Sequence, residues 1–131
     1  MKIDIKTAAE RLLSFDNVSI ITHAHPDGDT LGSAFSLARG LISLGKRAEV
    51  VCSDPMGSTF SFMWDNIAVF DDFKADHIVA VDIAVPELFG KKYEGVKDRV
   101  ELCIDHHSSN TFYAKETLLD SGAAATAEII Y

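Results

Sequence analysis

VSIITHAHPDGDTLGSAFSLARGLISLG, residues 18–45, changes its periodicity twice, and those changes decide the fold. VSIIT (18–22) is a β-branched run without polar alternation, which predicts a strand covered on both faces, as in a parallel sheet. From residue 31 the apolar side chains recur as Leu31, Ala34, Phe35, Ala38, Leu41 and Ile42, one face of a helix, and Gly45 follows the last of them as a C-terminal stop. Between them lies HAHPDGD. Strand, polar loop and helix in that order form the first half of a βαβ unit.

Working outward, residues 4–15 set Ile5, Ala8, Ala9, Leu12 and Leu13 at helical spacing, an amphipathic first helix. RAEVVC (47–52), HIVAVDIA (77–84) and RVELCID (99–105) read as further apolar strands, and TFYAKETLL (111–119) as a last, more exposed one. SDPMG is a turn, STFSFMW (58–64) has room for one helical turn, and the charged stretch 87–99 after Pro86 suits a surface helix or loop. GAAATAEIIY (122–131) opens a helix pattern with no stop signal. The alternation predicts an α/β fold: a doubly wound, mainly parallel five-stranded sheet with helices on both faces and right-handed crossovers.

The 131 residues fit one domain, 1–131, and the end inside an apolar helical run points to a truncated protein. With 47% hydrophobic and 24% charged residues the chain should fold. A net charge of −8 speaks against the basic stripe that nucleic-acid phosphates require. The same charge would repel any phosphorylated substrate, unless clustered carboxylates hold cations that reverse the local field. Cys52 and Cys103 lie in separate apolar stretches without a CxxC pattern, so buried inert thiols are expected. MKIDIKTAAERLL has no uninterrupted apolar core, hence neither signal peptide nor membrane span is expected, and the expected location is cytoplasmic.

Three of the strands end alike: VSIIT runs into His23, His25, Asp27 and Asp29, IVAV into Asp82, and ELCI into Asp105, His106 and His107. Carboxyl ends of parallel strands share one edge of the sheet, where ligands bind, so residues about 80 positions apart can meet there. The cluster contains carboxylates and imidazoles with no Lys or Arg in these motifs. Buried together, such groups are costly, and divalent cations are the usual remedy. Mixed His and Asp donors suit Mn, Fe, Co or Zn better than Ca, and two ions about 3.5–4 Å apart would clamp the attacking and leaving oxygens in phosphoryl hydrolysis. Each piece alone has a plainer account: Pro-Asp-Gly is turn chemistry, a lone Asp at a strand end is often a cap, and DHH is three letters.

In combination they resemble a known family, the DHH phosphoesterases. THAHPDGDTLGS (22–33), VAVDIA (79–84), IDHH (104–107) and LLDSGAAATAEIIY (118–131) resemble its four motifs in order, across nearly the whole chain. Within it the wording is similar to the oligoribonuclease (nanoRNase) and pAp phosphatase branch. The resemblance implies one metal on His23 and Asp27 with Asp82 bridging, and a second on Asp29, Asp82, His106 and Asp120. It also implies His106, His107 and Asp105 as the catalytic set, His107 facing the phosphate and Asp105 orienting the neighbouring imidazoles. Without it, Asp120 reads as a turn or cap residue. His25 stands where the family often has Asn. Gly28 and Gly32 are expected to let the backbone turn around the metals, although packing explains them equally well. Met56, Phe60, Phe62, Met63 and Trp64 read as core or interdomain packing in preference to a base-stacking surface.

The implied activity is manganese-dependent hydrolysis, with two Mn²⁺ ions (Mg²⁺ or Co²⁺ as substitutes), of short oligoribonucleotides or 3'-phosphoadenosine 5'-phosphate. Implied partners are short RNA or a phosphorylated nucleotide, the full-length protein's C-terminal substrate-binding domain, which this chain lacks, and in an admitted assembly a homodimer. Alternatives are another hydrolase of the family (pyrophosphatase, polyphosphatase, cyclic-dinucleotide phosphodiesterase or exonuclease) and a non-catalytic metal- or nucleotide-binding module.

Overall fold

The computed structural model describes residues 1–64, 66–70 and 73–131. Strand β1 (Lys2–Ile3) leads into helix α1 (Ile5–Ser14), followed by β2 (Val18–Ile21), α2 (Gly28–Ser43), β3 (Ala48–Val51), β4 (Val69–Phe70), β5 (His77–Val81), β6 (Leu102–Asp105), β7 (Glu116–Leu119) and α3 (Thr126–Ile130). Short 3₁₀ segments lie at Ser58–Met63, Pro86–Phe89 and Lys91–Arg99. All pairings are parallel, in the order β1-β7-β6-β5-β2-β3-β4. The α/β class is as expected. Among the described residues the sheet has seven strands where five were expected, because β1 and β4 contribute two residues each at its edges, too few to show a period.

The winding explains how the faces are covered. From β1 to β2 and from β2 to β3 the chain steps one way along the sheet; from β5 to β6 and β6 to β7 it steps the other way. Right-handed crossovers then put the two sets of connections on opposite faces. Leu31, Ala34, Phe35, Ala38 and Leu41 of α2 pack with Ala8, Leu12, Ile129 and Ile130 over Ile20, Val79, Val81 and Ile104. The other face is closed without an α-helix, by Phe89, Tyr93 and Val96 of the 3₁₀ segments and by Ala114 over Ile21, Ile78, Ala80 and Cys103.

Several local details refine the sequence reading. Asp4 caps α1 by accepting the Thr7 amide at 2.8 Å. Ile5 and Leu13 are exposed, since α1 turns a narrower stripe, Ala8 and Leu12, toward the sheet. Gly45 takes φ 79 and ends α2 as expected. Thr117 and Leu118 of β7 are buried, contrary to the more exposed strand expected, because β1 covers their far side. Met56, Phe60, Met63 and Trp64 pack against the first core, whereas Phe62 is exposed. Both cysteines are buried free thiols. Among the described residues no helix is long and apolar enough to cross a membrane.

Candidate metal centre

The step direction reverses between β2 and β5, and the carboxyl ends of β2, β5 and β6 lie side by side there. A cleft of about 430 Å³ opens at that point, lined by His23, Ala24, His25, Asp27, Asp29, Asp82, Leu88, His106 and His107. Residues from three strand ends and the start of α2 therefore share one crevice, the expected place for a ligand in this architecture.

Two groups of donors meet at one carboxylate. His23, Asp27 and Asp82 form one, and Asp82, His106 and His107 the other. His23 Nε2 lies 3.7 Å from Asp27 Oδ1 and 3.8 Å from Asp82 Oδ2. On the far side His106 Nε2 lies 3.6 Å from Asp82 Oδ1 and 3.7 Å from Asp29 Oδ2. Asp82 is buried, with φ 61, a left-handed conformation that a non-glycine residue adopts at a cost. That kink directs its side chain out of β5 into the crevice, one oxygen toward each group.

The tautomers follow from the partners. His23 Nδ1 is 2.7 Å from the Ala24 carbonyl and His106 Nδ1 is 3.3 Å from the Ala123 carbonyl. A carbonyl only accepts, so each Nδ1 carries a proton, and in the neutral ring each Nε2 then has a lone pair on the side of the carboxylate oxygens. Facing lone pairs at 3.6–3.8 Å, too far for hydrogen bonds, leave room for a cation. None of the cleft-lining residues is Lys or Arg. Burial pushes the Asp82 carboxyl up to about 6, the Thr126 hydroxyl opposing and the Asp29 charge adding to the rise. The donor set fits one or two divalent ions.

The remaining residues hold this arrangement. Asp105, fully buried, accepts the amides of His106 at 2.8 Å and His107 at 3.2 Å, the Asn110 amide at 2.7 Å and His107 Nδ1 at 2.8 Å. Burial pulls the His107 imidazole down, but Asp105, with the charges of Asp82 and Asp29, outweighs it and holds the ring above its ordinary value. Because that proton occupies Nδ1, His107 is better suited to donate to an anion than to ligate through that nitrogen. Asp27 also caps α2, accepting the Thr30 amide at 3.0 Å. Asp29 accepts the amides of Thr126 and Ala127, each at 3.0 Å. Burial raises its carboxyl, but these two hydrogen bonds, together with Asp82 and His106, outweigh the burial and hold it below the usual range.

Not every expected residue joins the groups. Asp29 borders the second through His106 without belonging to it, and Asp120 lies outside both. Asp120 is exposed and makes a turn by accepting the Gly122 amide at 3.0 Å; the cap position of α3 is Ala125. Gly28 and Gly32 lie inside α2 without positive φ, so they serve no tight turn. His25 instead takes φ 52, with its amide given to Asp54 at 2.7 Å, in a region that also favours Asn. The sequence reading missed Asn110, Asp54 and Thr126. A buried Asn five residues after Asp105 had no signal beyond its type, and the Thr126 hydroxyl, 2.9 Å from Asp82 Oδ1, is joined across 44 positions.

Residues 17–131 match the DHH family, N-terminal domain. The chain is 32% identical over 118 residues to a bifunctional oligoribonuclease and PAP phosphatase NrnA of Thermus thermophilus, covering 86% of this chain and 35% of that protein. It is 30% identical over 132 residues to an uncharacterized protein of Mycoplasma genitalium, covering 96% of this chain and 40% of that protein. A crystal structure of an exopolyphosphatase-related protein from Bacteroides fragilis superposes with a TM-score of 0.83 at 21% identity, over 97% of this chain and 41% of that one. The chain thus spans two fifths or less of the length of these curated relatives.

Proposed function

The chain belongs to the DHH family, and on that premise we propose that it is the cation-binding half of a metal-dependent phosphoester hydrolase. The observation that carries this reading is Asp82, whose two carboxylate oxygens face two separate groups of donors across one cleft. In this reading His23, Asp27 and Asp82 hold one divalent ion, and Asp82, His106 and Asp29 the other, with Asp120 available to the second site only by moving from its turn. Such ions, when bound, neutralise phosphoryl oxygens and lower the pKa of water.

The chain's own side chains would do the rest. His107, which Asp105 holds above its ordinary pKa, would in its doubly protonated form keep its Nδ1 proton toward Asp105 and donate from Nε2 to a phosphoryl oxygen. Asp105 keeps both neighbouring imidazoles in register by anchoring their amides. Exposed Leu88 forms an apolar wall at the mouth, suited to a nucleoside or sugar face, and the Ala24 amide, bonded to the Leu88 carbonyl at 2.7 Å, ties that wall to the first motif.

For the substrate we favour short oligoribonucleotides and 3'-phosphoadenosine 5'-phosphate, with Mn²⁺ as the ion and the cytoplasm as the location. The Thermus thermophilus relative's name and the four motifs support this choice. A C-terminal domain would complete the substrate site in a protein of the relatives' length. The test is a panel of short RNA, 3'-phosphoadenosine 5'-phosphate and pyrophosphate incubated with the protein and Mn²⁺. Cleavage of the first two is expected; turnover of pyrophosphate alone would replace the oligoribonucleotide reading, and no turnover with no Mn²⁺ uptake would end the hydrolase reading.

A further inference from the structure

We propose that Thr126 is a positioning residue for the shared cation site, its hydroxyl fixing the Asp82 carboxylate so that one oxygen faces each group of donors. The inference rests on the reading of Asp82 as a ligand common to two ions. A carboxylate rotates through a broad, two-fold well about its last bond, so its orientation must come from a partner. For Asp82 the partner is Thr126: its fully buried hydroxyl donates to Oδ1 at 2.9 Å. That leaves Oδ2 toward His23 and the rest of Oδ1 toward His106.

The same residue grips a second carboxylate. The Thr126 amide donates to Asp29 Oδ2 and the Ala127 amide to Asp29 Oδ1, each at 3.0 Å. One residue at the start of α3 thereby sets the spacing between carboxylates that arise at the end of β5 and on the first turn of α2. Its own position is fixed by Ile129 and Ile130, which pack against the first core. Asp29 Oδ1 also accepts the Ser33 hydroxyl at 3.4 Å, which fills it, but both Asp82 oxygens and Asp29 Oδ2, the Asp29 oxygen that faces His106, keep a lone pair, so the contacts are compatible with a bound cation.

A packing role and a positioning role predict opposite results for two conservative changes. Thr126→Val keeps the shape and loses the hydroxyl; Thr126→Ser keeps the hydroxyl and loses a buried methyl. Each variant and the unaltered chain would be titrated with Mn²⁺ by calorimetry and examined by electron paramagnetic resonance, where two ions sharing a carboxylate give a spin-coupled signal. The expected result is that Thr126→Ser binds within about threefold of the unaltered chain and keeps the coupled signal, whereas Thr126→Val binds about 10- to 100-fold more weakly and loses it. Melting in chelator reports the stability of each variant separately, so that a loss of Mn²⁺ affinity is not mistaken for a loss of fold.

Thr126→Val binding like the unaltered chain would overturn the proposal, as would equal losses in both variants. Should Thr126→Val fail to fold, Thr126→Ser decides: retained affinity despite lowered melting supports positioning, and lost affinity overturns it. An unaltered chain that takes up no Mn²⁺ would overturn the site reading and this inference with it, while two bound ions with an indifferent Thr126 would overturn the inference alone.

Discussion

At the start of β5, His77 donates from Nδ1 to Glu101 at 2.6 Å and stacks on Phe15 with ring centroids 4.3 Å apart, while Lys115 reaches the other Glu101 oxygen at 3.6 Å. Just past the end of the same strand, Asp82 faces His23, His106 and His107 in a cleft lined by no ammonium or guanidinium. An imidazole and a carboxylate therefore meet at both ends of one strand in different electrical surroundings. The first couple is closed by a proton, a ring and a cation; the second sets Asp82 oxygens opposite the Nε2 atoms of His23 and His106, whose Nδ1 atoms face carbonyls, and opposite the protonated Nδ1 of His107. Type and proximity do not mark a functional pair. What separates the two ends is that, among the described residues, no Lys or Arg lines the cleft around Asp82.

The sharpest way to break this comparison is to neutralise one end. Asp82→Asn should keep the fold and lower Mn²⁺ affinity, and any Mn²⁺-dependent hydrolysis, by more than about 100-fold, because one group serves both donor sets; calorimetry showing unchanged affinity would dissolve the distinction. Protons should compete next. Asp82 is held up to about 6 by burial, so in the metal-free chain it keeps its proton between the ordinary carboxylate range and that value. Its contribution to stability is present below that range and is lost as the pH rises through 6. A cation must displace the proton below 6, so affinity should fall about tenfold from pH 7 to pH 5 through this group, and calorimetry in two buffers of different ionisation enthalpy would count the proton released.

Asn110→Ala removes the amide that satisfies buried Asp105, which should cost about 1–3 kcal/mol in denaturant melts. The same change should weaken turnover more than Mn²⁺ uptake, since Asp105 acts through His107. Glu101→Gln, at the closed end, is expected to cost no more than about 1 kcal/mol and to leave Mn²⁺ affinity unchanged. A large loss of affinity there would mean that the two ends are coupled along β5, contrary to their independent wiring.

Much of this was legible in the sequence for a physical reason. The central strands β2, β3, β5 and β6 are apolar runs because both of their faces are covered, and their C-terminal His and Asp residues converge because parallel strands share an edge. The edge strands were hidden, since two residues carry no period. The 3₁₀ face was also hidden, because Phe89, Tyr93 and Val96 follow neither a 3.6- nor a 2-residue rhythm. Within the site, His23, Asp27, Asp82, His106 and His107 were read from their motifs and lie together in one crevice, whereas Asp29 borders the groups and Asp120 lies outside them. Thr126 was invisible because its importance lies in bonds to residues 44 and 97 positions away, which no local pattern encodes.

Strand β1 has a consequence for how the molecule is made. Lys2 and Ile3 pair with Thr117 and Leu118 at one edge of the sheet, with β7, β6 and β5 lying between them and β2, to which α1 returns the chain. On a ribosome these residues emerge without their dock and must wait until β7 has been synthesised, a separation of 115 positions. The seam they close is also pinned by Arg11 to Glu116 through two hydrogen bonds at 2.7 and 3.0 Å. A fusion that hinders this late stitch should therefore slow maturation, and leave β7 as a bare edge for other chains to join, while the cleft at the centre of the sheet assembles undisturbed.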